Sequence, residues 1–93
     1  MRIRLTDFEK DVYRAVMKIP MGETRSYKWV ARQIGSPRSS RAVGNALNKN
    51  PYAPYVPCHR VIASDGTLGG YSQGRAKKMK ILKKEFAYKR SYS

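Results

Sequence analysis

The chain has 93 residues, with 20 lysines and arginines against 6 acids and a formal charge of +14, which describes one small, strongly basic domain. No apolar run approaches the ~20 residues of a membrane span, and the opening MRIRLTDFEK lacks the apolar core of a secretory signal. A single cysteine excludes an internal disulfide and fits a reducing compartment; with a single histidine it leaves a tetrahedral zinc site short of ligands, so no metal and no cofactor are expected.

Thr6-Asp7-Phe8-Glu9 reads as a capping box that opens a helix running to about Ile19. Phe8, Val12, Val16 and Ile19 recur at helical spacing and are expected in the core, and Pro20-Met21-Gly22 ends the helix. A second helix is expected from about Ser26 to Gly35. Tyr27, Val30, Ala31 and Ile34 line one side of it, and Arg25, Lys28 and Arg32 another. Ser36-Pro37 reads as the start of a third helix, with Ser36 as cap and Pro37 in the first turn, ending before Asn50-Pro51. Ala42, Val43, Ala46 and Leu47 form its apolar arc; Arg38, Arg41, Asn45 and Asn48 share a polar face. Gly44 costs this helix ~1 kcal/mol relative to alanine, which suits a close backbone approach. The pair joined at Gly35-Ser36 reads as a helix-turn-helix. Between Glu23 and Asp65 there is no acid at all, so this part of the surface needs a polyanion partner, and nucleic acid is the expected one.

After an irregular stretch to Pro57, Val61-Ile62-Ala63 and Thr67-Leu68 around Asp65-Gly66 read as a β-hairpin. A last helix spans about Gln73 to Tyr88, with Met79, Leu82 and Phe86 on one side, and Lys89 to Ser93 are expected to fray. The expected fold is therefore a mostly α small domain: a winged-helix-like helix-turn-helix, a short β-hairpin after the active-site loop, and a C-terminal helix.

That loop, PYVPCHRVI, carries both Cys58 and His59. A lone cysteine is usually a small buried hydrophobe, and a lone histidine is usually structural. Here flanking prolines, nearby arginine and the absence of acids favour the thiolate, whose pKa of ~8.5 falls beside cations.

PCHRVI, GETRSYKWVARQIG, SPRSSRAVGNALNKNP and GTLGGYSQG…K…LKKE together resemble, in order and spacing, the O6-alkylguanine-DNA alkyltransferases. The resemblance covers roughly residues 6–86. It implies that Cys58 accepts the alkyl group irreversibly, that His59 acts as its base through a water, and that Glu85 orients His59, in the logic of a hydrolase triad. It implies that Tyr27 gives a proton to the departing guanine, that Arg41 enters the base stack where the nucleotide has flipped out, and that Asn50 ties the recognition helix to the active-site loop. Val56, Pro57, Tyr71, Ser72 and Lys78 would line the substrate pocket. Arg25, Tyr27, Lys28, Arg38, Arg41, Asn45 and Arg60 would bind DNA. The implied partner is duplex DNA carrying O6-alkylguanine, entered from the minor groove. Gln73 stands where the family often has glycine and is expected to disfavour bulky alkyl groups.

The expected organisation is one domain over residues 1–93, acting as a monomer without the N-terminal domain of many relatives, and cytoplasmic, or nuclear in a eukaryote. Other readings are a non-catalytic relative that flags alkylated DNA, against which Cys58 itself argues, a helix-turn-helix regulator with a structural cysteine, and a small Cys-His hydrolase.

Overall fold

The structure is a computed structural model that describes residues 5–53 and 55–92. Helix α1 spans Asp7–Val16, strand β1 Arg25–Ser26, α2 Tyr27–Gln33 and α3 Ser40–Asn48; a 3-10 turn over Cys58–Arg60 then leads into strand β2, Val61–Ile62, and α4 covers Arg75–Tyr92. The domain is mostly helical, as expected, and holds one two-stranded sheet among the described residues.

Both arms of the capping box on α1 are made: the Thr6 hydroxyl accepts from the Glu9 N–H, and Glu9 accepts from the Thr6 N–H. The α-helix stops at Val16, three residues earlier than expected. Two i→i+3 bonds, Lys18 to Ala15 and Ile19 to Val16, tighten the exit instead, because Ile19 precedes a proline and avoids helical angles. Ile19 is still buried, with Val12, Tyr13 and Val16. The Tyr13 hydroxyl donates to the Ala46 carbonyl at 2.7 Å and pins α1 to α3.

α2 ends in a Schellman motif. The Gly35 N–H donates to Arg32 and the Ser36 N–H to Ala31, with Gly35 at φ 74°. The expected start of the third helix is corrected. Ser36-Pro37 opens a tight turn closed by Ser39 N–H to the Ser36 carbonyl at 2.9 Å, and the helix begins only at Ser40. Proline's fixed φ suits the second position of such a turn as well as the first position of a helix. Val43, Ala46 and Leu47 then face Val30 and Ala31 in one core.

The β-hairpin is also corrected. Asp65-Gly66 does turn, with the Ala63 N–H bonded to the Thr67 carbonyl, but Thr67-Leu68 forms no strand. Val61–Ile62 pairs instead in parallel with Arg25–Ser26, in the register Arg25 to Val61 and Ser26 to Ile62. This pairing ties the entrance of α2 to the exit of the Cys58 loop.

α4 starts two residues later than expected and runs helical through Tyr92, where fraying was expected; Ser93 lies outside the described residues, as does Pro54. Its buried face differs from the expected one. Leu82 is buried, but Met79 and Phe86 are exposed, and Lys78 is fully buried.

Candidate active site

Cys58 is held by its backbone. Pro57 at φ −80°, ψ 62° and the Cys58 N–H bonded to the Val56 carbonyl at 2.8 Å make an inverse γ-turn, which proline's locked φ favours. Asn50, buried at the end of α3, donates from Nδ2 to the Val56 carbonyl and accepts from the Tyr52 N–H, each at 2.9 Å. One amide thus fixes both ends of the loop between α3 and the thiol.

The thiol is 3% exposed. Burial pushes its pKa above the ordinary 9.0; Asn50, the Lys78 charge, its own backbone and Ser72 oppose that shift without overcoming it. The sequence-based expectation of a favoured thiolate is thereby corrected, because removal from water outweighs the nearby cation.

His59 is buried beside it, and its Nε2 lies 2.9 Å from Glu85 Oε2. Burial raises the Glu85 proton affinity, but hydrogen bonds from Arg60 and His59 outweigh it and hold the carboxyl below its ordinary 4.5. Glu85 is therefore an ionised acceptor, which assigns the ring proton to Nε2. Nδ1 is buried without a protein partner among the described residues, as is the Tyr71 hydroxyl. The two rings meet edge to face at 6.3 Å. Burial holds the imidazole below its ordinary 6.5; Glu85 opposes this, while Arg60 and Lys78 reinforce it.

Lys78 donates from Nζ to the carbonyls of Val61, Leu68 and Gly70, and its ammonium lies 5.9 Å from the centre of the Tyr27 ring. Burial lowers its pKa to about 8, so it is charged at neutral pH. One ammonium therefore joins β2 to the loop before α4. It also stands electrostatically close to Cys58, whose charge raises its proton affinity in return.

Tyr27, at the start of α2, is half-buried. It forms one wall of an open recess of about 390 Å³, also lined by Lys28, Arg41, Gly44, Asn45 and Asn48 from the helix pair and by Ser64, Gly69 and Gly70 opposite. Gly69, at φ 69°, passes so close that a Cβ there would fall on the Tyr27 hydroxyl, with ring Cε2 at 3.0 Å. Burial raises the phenol's pKa, and proximity to Cys58 raises it further.

The structure thus gathers Cys58, His59 and Lys78 into one buried cluster with the partly exposed Glu85 at its edge, and Arg41, Asn45, Lys28 and Tyr27 around one recess. Val56, Pro57 and Tyr71 are buried around the cluster, while Ser72 is exposed at its edge. Gln73 donates to the Ala53 carbonyl at 3.3 Å, bridging the two loops beside the thiol. Arg38 is exposed outside the recess. Two expected DNA contacts sit elsewhere. Arg25 is engaged with Glu23, the Thr24 carbonyl and the Trp29 ring. Arg60 is turned inward onto Glu85 and the Ile19 carbonyl, so its expected place on the DNA surface is corrected. Asn48 and Gly69-Gly70 were not singled out from the sequence as site residues. Asn48 was signalled by its place on the polar face with Arg41 and Asn45.

Residues 7–87 match the family model of the 6-O-methylguanine DNA methyltransferase, DNA binding domain. A methylated-DNA–protein-cysteine methyltransferase of Methanosarcina barkeri is 56% identical over 86% of this chain and 51% of its own length. The crystal structure of Mycobacterium tuberculosis OGT in complex with DNA superposes with a TM-score of 0.88 at 49% identity, covering 92% of this chain and 53% of that one. S. pombe Atl1, in complex with damaged DNA containing O6-carboxymethylguanine, superposes at 0.78 with 36% identity, over 89% of this chain and 79% of that one. The chain spans about half the length of the curated relatives it matches.

Proposed function

The chain belongs to the 6-O-methylguanine DNA methyltransferase family, of which residues 7–87 form the DNA-binding domain, and from that membership we propose that it repairs duplex DNA by moving an alkyl group from O6 of guanine to Cys58. The observation that carries this reading is the buried Cys58 followed by the buried His59, whose ring is held by Glu85 at 2.9 Å. A regulator that only binds DNA has no use for a buried thiol followed by a neutral imidazole with one nitrogen bare.

The step balances simply. His59 Nδ1 takes the thiol proton through a water, and Glu85 stabilises the imidazolium that results. The sulfur attacks the alkyl carbon; the S–C bond forms as the C–O6 bond breaks. Guanine leaves as an anion and takes a proton from Tyr27, which recovers one from His59 or solvent. The thioether has no route back to a thiol, so each chain turns over once.

The reactive carbon is out of reach inside a stacked duplex, so the nucleotide must be extruded at a cost of a few kcal/mol. Arg41, on the recess wall, would fill the gap from the minor groove. Lys28, Arg38 and Asn45 would hold the backbone, giving affinity with little sequence preference. The protein acts as a monomer in this scheme.

The test uses a duplex with one O6-methylguanine. The parent protein should clear the lesion in a one-to-one reaction, and Cys58→Ala should clear none while binding the same duplex with affinity within about threefold. Clearance by Cys58→Ala would end the proposal. Binding of the lesion without clearance by the parent would favour the damage-flagging reading that the likeness to Atl1 suggests.

A further inference from the structure

We infer that Arg60 is a positioning residue for His59: by sharing the Glu85 carboxylate it helps to keep a second proton off the imidazole, in the tautomer that leaves Nδ1 bare. The inference rests on the proposed alkyl transfer for its use, but not for its geometry.

Glu85 Oε1 accepts from Arg60 Nε at 2.9 Å, and Oε2 accepts from Arg60 Nη2 at 2.8 Å and from His59 Nε2 at 2.9 Å. The guanidinium and carboxylate meet as two parallel bonds, the strongest and most directional pairing available to them. The remaining Nη1 donates to the Ile19 carbonyl at 2.8 Å and anchors the fork to the segment leaving α1. The pair is largely buried, with side chains 16% and 12% exposed. Arg60 is therefore spent on the interior, although it sits in the acid-free stretch that otherwise points to DNA.

A carboxylate alone beside a buried imidazole favours the imidazolium. An imidazolium carries protons on both nitrogens and cannot take one from Cys58. Arg60 works against that in two ways. It neutralises the carboxylate that would draw the second proton, and it repels the second positive charge directly. The groups that face His59 are Glu85 and Lys78 from α4, Arg60 from its own turn, and the Tyr71 ring from the loop before α4. Burial is the largest weight against the second proton, and Glu85 is the one anion among these groups, so the partner that shares it adds to that weight.

His59 is the only histidine in the chain, so its ring signals in an NMR titration are unambiguous. The full chain would be titrated as parent, Arg60→Met and Arg60→Lys. In the parent, His59 should titrate below 6.5. In Arg60→Met it should titrate higher than in the parent, because Glu85 then serves His59 alone. In Arg60→Lys it should remain below 6.5, because the charge is kept. A site that Arg60 merely props in place would loosen in both variants and bring both to the ordinary value, which would overturn the inference. Should Arg60→Met not fold, Arg60→Gln takes its place: it keeps a hydrogen-bond donor without the charge, and His59 should again titrate higher than in the parent. A value at or below the parent's would overturn the inference. The acid limb of the methyl-transfer rate should move to higher pH in Arg60→Met. A parent without transfer activity would sink the proposed function and leave the titration result standing.

Discussion

At the scale of single residues, the chemistry turns on who holds a proton at rest. Burial keeps Cys58 a thiol and His59 a free base, so the reactive pair is stored neutral inside a chain of formal charge +14. The thiol's pKa lies above its ordinary 9.0, and the thiolate fraction at pH 7 is small. Alkylation of free protein by iodoacetamide should therefore be slow at pH 7 and rise about tenfold per pH unit, without a plateau below pH 9. Lys78 loses its charge near pH 8 in the same range and removes one aid to the thiolate. A plateau below pH 8, read from peptide-mapped rates at Cys58, would show a preformed thiolate. Cys58, His59 and Glu85 were legible from the sequence only through the family pattern, because Glu85 lies 26 positions from His59 and directly follows two lysines. Arg60 and Lys78 were not legible in their roles. An arginine in an acid-free stretch looks like a phosphate contact, and no hydrophobic periodicity places a lysine in a core. Lys78 is there because three carbonyls meet its ammonium.

Among the elements, two glycines of similar φ do different work. Gly35 closes α2 at φ 74°, with nothing within 4 Å of a would-be Cβ. Gly35→Ala should cost about 1 kcal/mol of stability through backbone strain alone, with repair rate intact. Gly69 sits at φ 69° against the Tyr27 hydroxyl. Gly69→Ala must displace that ring, so it should slow methyl transfer at least tenfold while duplex affinity changes little. Urea melts and single-turnover rates for the two variants would check this; equal transfer rates would remove Tyr27 from the reaction. The capping box of α1 and the glycine end of α2 were legible because both are local. The start of α3 was not, since Ser36-Pro37 serves a turn as well as a helix. The pairing of β2 was not either: its partner β1 lies far away in sequence, and the nearby Asp65-Gly66 turn offers a hairpin that the chain does not complete. The exposed Met79 and Phe86 show the same limit in α4, where helical spacing gave the wrong face.

For the whole molecule, the site and the fold share their electrostatics. Glu85 and His59 both hold protons less readily folded than unfolded. Their contribution to stability is therefore fully present above the unfolded values and is lost as pH falls, first from 6.5 for His59 and then from 4.5 for Glu85. The urea midpoint should drop between pH 7 and 5.5 and again toward pH 3.5, and Glu85→Gln should flatten the second drop; a midpoint constant across this range would contradict the reading. The acid-free stretch carries the helix pair and most of the recess lining, while three of the six acids, Asp7, Glu9 and Asp11, lie on α1. The central claim is that the thiol is the acceptor. The most direct measurement is the intact mass of the protein after mixing with one equivalent of duplex carrying a single O6-methylguanine, followed by peptide mapping. One added methyl per chain, on the Cys58 peptide and absent with undamaged DNA, is the predicted result. An unchanged mass with the lesion tightly bound, or a methyl on any other residue, would contradict it.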